Sequence, residues 1–306
     1  MRLVVDARTS AFAAFVDYAG VFPPASLTVA DATACYRAAR TSQESWVAGR
    51  FLIRTSQLQE LAAEATATMQ PGEDPWEVSA IFDSRATAAA SLASDFHAEM
   101  EPALTVAAAE ALISEPSRDG IAKLFTTIGS INPDVVGFLE VARSSDVEAQ
   151  IRRIASVIQE SGRTGGSKLR CGGVTADMFP SPSEVAVFIQ TTVEESVPFK
   201  ATAGLHQPFR HFDESLGIYR HGFVNILLAT TAAADGAALS TVTDIISETE
   251  PGAFGLSAAF ATWGDLRFPG STLRRTRQNL FVAYGSCDFE EPIEALRAIG
   301  LLGEGS

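Results

Sequence analysis

Short apolar runs recur along this 306-residue chain at intervals of roughly 30 residues, and the stretches between them carry helical patterning. Strand-sized runs alternating with helix-sized ones point to βαβ units and a parallel sheet. Eight such runs are read as strands: Ala14–Gly20, Trp46–Arg54, Val78–Asp83, Ala103–Glu110, Val135–Val141, Ser167–Gly172, Pro198–Gly204 and Ala253–Trp263. Leu280–Ser286 is an alternative for the eighth, and Ala103–Glu110 also reads as a helix start, because alanine is the best helix former. A doubly wound open sheet announces itself by a Gly-rich turn after its first strand. Here the first run leads instead into Tyr18-Ala-Gly-Val-Phe-Pro-Pro, and no GxxxxGK[ST] string occurs. The expected fold is α/β, a single (β/α)8 TIM barrel over residues 1–306.

Local signals sharpen two units. After the sixth strand and the Gly172-Gly173 turn, Ser181-Pro-Ser-Glu184 has the cap, N1 proline and N3 glutamate of a helix start. Val185, Phe188, Ile189 and Val193 share one face of that helix. At the end of the chain, Asp288 and Glu291 bracket an expected capping box for a helix Glu290–Ile299 closed by Gly300.

Composition excludes some functions. With 46% apolar residues the chain can fill a full core, and a net charge of −14 supplies no basic stripe for displacing counterions from nucleic acid. No apolar run reaches the ~18 residues of a membrane span. The first residues lack the basic start, apolar run and cleavage site of a signal peptide. Cys35, Cys171 and Cys287 are odd in number and far apart, as free thiols of a reducing compartment are. A cytoplasmic protein with no nucleic-acid or membrane partner is expected. Self-association is compatible with a barrel, although no sequence feature demonstrates it.

The basic residues carry a sharper signal. Of 23, only Lys123, Lys168 and Lys200 are lysines, and the other 20 are arginines. A chain that meets its general need for positive charge with arginine retains lysine for what arginine cannot do, namely lose a proton and attack a carbonyl. Lys168 and Lys200 fall in the sixth and seventh strands, so they are expected side by side. Mutual repulsion and burial would lower their pKa values. In a barrel the chemistry gathers where strands end. Asp17, Arg54, Asp83, Glu110, Glu140, Lys168, Arg170 and Lys200 lie in or at the ends of the candidate strands. Two separate salt bridges, to Glu140 and Glu110, are the simpler alternative for the lysines.

Lys168-Leu-Arg-Cys-Gly-Gly and, about 32 residues later, Phe199-Lys-Ala-Thr-Ala-Gly resemble the paired strand motifs of the deoxyribose-phosphate aldolase family. The resemblance covers about 40 residues and implies a metal-free class I aldolase on a (β/α)8 barrel. It implies that Lys168 forms a Schiff base with the substrate carbonyl and that Lys200 lowers its pKa. Asp17-Tyr-Ala-Gly-Val-Phe-Pro-Pro, Lys200-Ala-Thr-Ala-Gly-Leu-His and Gly285-Ser-Cys-Asp-Phe-Glu-Glu-Pro also resemble strings in bacterial proteins of unassigned activity, which implies no function.

The expected catalytic set is therefore Lys168, Lys200, Glu140, Glu110 and Asp17, with the carboxylates moving protons. Arg170, Arg54, His206 and Arg210 are expected to bind substrate, the cations taking a phosphate or carboxylate, and His206 is also a candidate acid/base. The glycines Gly172, Gly173 and Gly204 are expected to line the substrate site. The substrate is read as a small carbonyl compound, with no organic cofactor and no metal. The alternative is a divalent-metal-dependent lyase, isomerase or epimerase, with Asp17, Glu110, Glu140 and His206 as oxygen and nitrogen ligands. A barrel that only binds a metabolite is a third reading. Cys171 reads as packing; Cys287, just before a helix start, is a candidate reactive thiol.

Overall fold

Seven of the eight apolar runs become staves of one closed sheet. The computed structural model describes residues 6–143 and 146–302. In chain order the first seven strands are β1 (Val16–Tyr18), β2 (Ala48–Arg54), β3 (Trp76–Ile81), β4 (Leu104–Leu112), β5 (Val136–Glu140), β6 (Gly165–Arg170) and β7 (Phe199–Thr202). After β7 the chain leaves the barrel. It forms an antiparallel hairpin, β8 (His211–Asp213) and β9 (Ile218–Arg220), and an antiparallel three-stranded sheet, β10 (Phe254–Leu256), β11 (Phe260–Trp263) and β12 (Leu266–Pro269). It returns as β13 (Phe281–Ser286), which pairs in parallel with both β7 and β1 and closes the ring. The fold is thus a single closed (β/α)8 barrel, as the alternation of runs predicts.

The eighth stave is Phe281–Ser286, the alternative reading, and the preferred Ala253–Trp263 run is corrected. Its two halves pair antiparallel with each other, Phe254 opposite Trp263, outside the barrel. The physical reason is local: Ser257 bends the run back, its backbone N–H and hydroxyl both bonding Phe260 O. Leu104–Leu112 is a strand despite its alanines. Ala108 and Ala109 are fully buried between neighbouring staves, so tertiary packing overrides helix propensity.

The α-helices of the described residues are α1 (Ala7–Phe12), α2 (Val29–Thr41), α3 (Leu58–Thr68), α4 (Ala86–Met100), α5 (Arg118–Ile128), α6 (Val147–Ser161), α7 (Pro182–Glu194), α8 (Phe223–Ala234), α9 (Leu239–Ser247), α10 (Gly270–Asn279) and α11 (Glu290–Ala298). α2 to α7 follow β1 to β6 in turn, α8 to α10 lie between β7 and β13, and α11 follows β13. α7 starts with the predicted capping box: Ser181 Oγ accepts from Glu184 N, and Glu184 Oε2 accepts from Ser181 N at 2.7 Å. α8 is buried nearly all round, because the β10–β12 sheet and α9 cover the side that a barrel helix ordinarily shows to water. Among the described residues no helix is long and apolar enough to cross a membrane.

Candidate active site at the barrel mouth

Parallel pairing sets the geometry. In register, Lys168 on β6 sits beside Lys200 on β7, and Glu140, the last residue of β5, sits beside Lys168. β4 carries Glu110 and β1 carries Asp17. The side chains form one unbroken row of alternating charge inside the barrel. Asp17 Oδ2 lies 2.6 Å from Lys200 Nζ. Lys200 also donates to Glu110 Oε1. Glu110 Oε2 is 2.8 Å from Lys168 Nζ, Lys168 is 3.3 Å from Glu140 Oε2, and Glu140 Oε1 accepts from Arg170 Nε at 2.8 Å. Ser79 Oγ on β3 donates to Glu110 Oε1 at 2.8 Å. Asp17 Oδ1 accepts from the Arg50 backbone N–H at 2.7 Å. Gly49 leaves room for that approach, since a Cβ there would stand 2.3 Å from Asp17 Oδ1.

The row runs from full burial to solvent. Asp17, Lys200 and Glu110 are each 1% exposed, Lys168 is 7% exposed, and the Arg170 side chain reaches water. A cavity of about 660 Å³ opens at the strand C-termini, a volume suited to a small molecule. Glu110, Glu140, Lys168 and Arg170 line it, together with Phe22, Gly173, Gly204, His206, Arg220 and Cys287.

The sequence reading of the two amines needs correction. It expected ammonium groups facing each other and depressed pKa values. Instead the Glu110 carboxylate lies between them and bonds both. Burial works against the Lys168 charge, but Glu110 and Glu140 outweigh it, and the Lys168 pKa is raised. Burial likewise opposes the Glu110 charge, and Lys168 and Lys200 reverse it, holding this carboxyl far below its usual range. Glu140 is lowered by Lys168 and Arg170 against the same penalty. At rest Glu110, Lys168 and Glu140 are all ionised.

The structure separates the other candidates. Lys200 and Asp17 belong to the row without lining the mouth cavity. Arg54 does not line it either. Its guanidinium donates to Val21 O and Gln57 Oε1 and stacks on Phe22 at 4.4 Å, bracing the loop that does. Arg210 is likewise corrected: it stacks on Tyr219, and its Nη1 faces His221 Nδ1 at 3.3 Å, away from the cavity lining. His221 is fully buried, donates through Nε2 to Pro180 O at 2.7 Å, and is pushed down to about 4 by burial, so it is a neutral structural histidine. Gly172 packs behind the lining, where a Cβ would meet the Phe179 ring at 2.5 Å. Gly204 has φ +74°, a backbone that glycine adopts at little cost.

The four expected metal ligands do not form one set. An ammonium group fills the gap between Asp17 and Glu110, and another fills the gap between Glu110 and Glu140. His206 turns to Glu291 at 2.9 Å. Among the described residues no group of three or more His, Cys, Asp or Glu side chains is placed to hold a metal ion.

Sequence reasoning missed Arg220 and Ser79. Arg220 sits on β9, in the excursion after β7, and reaches the mouth cavity with its Nε 2.5 Å from Asp213 Oδ2. Nothing in its local sequence signals that position. Ser79 could have been found from the period of two along β3, which turns Ser79 and Ile81 to the same face. A scan of the chain against protein-family models returned no match, and a search of curated proteins returned none.

Proposed function

We propose that this chain is a small-molecule lyase of the aldolase type, in which Lys168 forms a Schiff base with the carbonyl carbon of its substrate. One observation carries the reading: Lys168 is the amine that lines the cavity, and it lies between two carboxylates able to take and return its proton. A buried row of ion pairs contributes little net stability compared with apolar packing of the same volume. Its presence in a barrel interior therefore favours a chemical role.

The reaction balances with the groups present. Lys168 passes a proton to Glu140, and its free amine adds to the carbonyl carbon while the oxygen takes up a proton. Loss of water leaves an iminium. The iminium draws in the electron pair of the neighbouring C–C bond as a carboxylate removes the proton of the substrate's hydroxyl. Protonation of the enamine and hydrolysis return the amine. Lys200, held by Asp17 and Glu110, keeps Glu110 ionised and in place. Arg170 and Arg220, both lining the cavity, supply guanidinium groups for a phosphate or carboxylate on the substrate.

The test is reductive trapping. With borohydride and a panel of small aldehydes, ketones and 2-oxoacids, mass should be gained at Lys168 and none at Lys200, and Lys168→Arg should abolish it. A panel that labels neither lysine would sink the proposal. The raised Lys168 pKa favours a second reading, in which the lysine stays an ammonium and polarises the carbonyl while Glu140 removes an α-proton. That reading expects α-deuterium exchange without trapped lysine.

A further inference from the structure

The mouth cavity has a second wall, formed by the residues that follow β7 and β13. β7 and β13 are neighbouring staves, so the residues that follow them meet. His206 comes after β7 and Cys287 after β13, and both line the same cavity as Lys168. His206 Nδ1 lies 2.9 Å from Glu291 Oε2, and its Nε2 faces Cys287 Sγ at 4.0 Å. Glu291 Oε1 also accepts from Gln207 Nε2 at 3.1 Å.

Glu291 reaches His206 because the start of α11 does not need its side chain. The expected capping box is not formed. Asp288 Oδ1 alone accepts from the backbone N–H of Glu290 and Glu291, at 2.8 and 3.0 Å. The glutamate is left free to hold the imidazole. A carboxylate at Nδ1 fixes the proton there and presents Nε2 as a base, the arrangement that activates a nucleophile one hydrogen bond away.

We propose that Cys287 is a nucleophile toward aldehyde carbonyl carbons entering the cavity, with His206 as its base and Glu291 as the positioning residue. The thiol proton passes to His206 Nε2 as the S–C bond forms and the C=O π bond breaks. The same proton then goes to the carbonyl oxygen, giving a hemithioacetal with no leaving group and no oxidant. The environment favours the intermediate imidazolium. The hydrogen bond with Cys287 raises the His206 pKa, burial opposes it, and Glu291 adds to the rise. The charged groups lining the same cavity are Glu110, Glu140, Lys168, Arg170 and Arg220. The other thiols lack this setting. Cys171 is fully buried and its thiol is pushed up by desolvation, and Cys35 is exposed.

The site does not depend on Schiff-base chemistry at Lys168, and its test is kept separate. The full-length protein is alkylated with iodoacetamide across a pH series and each cysteine is followed by peptide mass spectrometry. His206→Asn should slow Cys287 alkylation on the order of tenfold. Glu291→Gln should slow it severalfold and move the midpoint of the pH profile, set by deprotonation of His206, to lower pH because the raising influence of Glu291 on the imidazole is gone, with Cys35 unchanged in both. Cys287 reacting at the wild-type rate in folded His206→Asn, or in Glu291→Gln should the first variant not fold, overturns the proposal. In a second arm, millimolar glycolaldehyde should protect Cys287 both in the wild type and in Lys168→Arg. Protection that disappears in Lys168→Arg assigns the aldehyde to the lysine and overturns the thiol reading, as does no protection in either protein.

Discussion

The two ends of the barrel hold buried charge in opposite ways. At the floor, where the strands begin, Arg277 of α10 is buried and its guanidinium donates to four backbone carbonyls. It reaches Ala11 O at 3.0 Å, Ala13 O at 3.1 Å and Ala14 O at 3.3 Å, and also Phe281 O. It stacks on the Phe15 ring at 3.9 Å. Burial pulls its pKa down to about 9, which leaves it charged at neutral pH. Those four hydrogen bonds tie the α1–β1 link to β13. At the mouth, each ammonium pairs with carboxylates, and the row ends in a cavity where the last members meet solvent. Carbonyls cannot take a proton and carboxylates can. A charge bound to backbone can only hold the chain together, and a charge bound to carboxylates can move a proton.

That contrast can be broken by substitution. The largest effect is expected at the floor. Arg277→Met leaves four carbonyls short of a donor and should cost about 4 kcal/mol of unfolding free energy, read by urea denaturation. Borohydride labelling of Lys168 per folded molecule should stay the same. Unaltered stability would remove the structural half of the comparison.

Glu110→Gln comes next. It takes the shared anion from between two ammonium groups and should cost about 3 kcal/mol. The Lys168 pKa should fall, moving the labelling optimum to lower pH. The sign of the acid response follows from the depressed Glu110 pKa. Its contribution to stability is complete above its ordinary value of 4.5 and is lost as pH falls toward the native value. The wild type should therefore lose stability on acidification more steeply than Glu110→Gln. Lys168 acts at the other end of the scale. Its raised pKa contributes stability below its ordinary 10.5 that is lost as pH rises through the native value.

Glu140→Gln should have the smallest effect on folding, about 1 kcal/mol, because its carboxylate sits at the cavity edge. Its effect on chemistry should be larger. If Glu140 takes the Lys168 proton, trapping should slow at least tenfold. Equal trapping in Glu140→Gln would move that role to Glu110.

Much of this site was legible because neighbouring staves of a parallel barrel place residues side by side. Lys168 and Lys200, one βαβ unit apart, had to be neighbours once both were assigned to strands. Asp17, Glu110 and Glu140 followed from being acidic residues within apolar runs, where an unpaired charge is too costly to keep. The eighth stave was misjudged because alternating apolar residues fit a hairpin such as β10–β11 as well as a barrel strand. Arg54 and Arg210 carried the charge of anion binders, but local stacking on Phe22 and Tyr219 decided their direction.

By itself, the sequence determined the barrel and the presence of amines and carboxylates in its interior, because hydrophobic period and strand spacing are local properties of the chain. Only the tertiary structure decided which partner each charge found. Glu110 stands 90 positions from Lys200, and Cys287 stands 81 from His206. The protonation of Lys168 depends on which neighbour lies within about 3 Å, since charge coupling falls with distance and burial magnifies what remains. No local pattern records that distance.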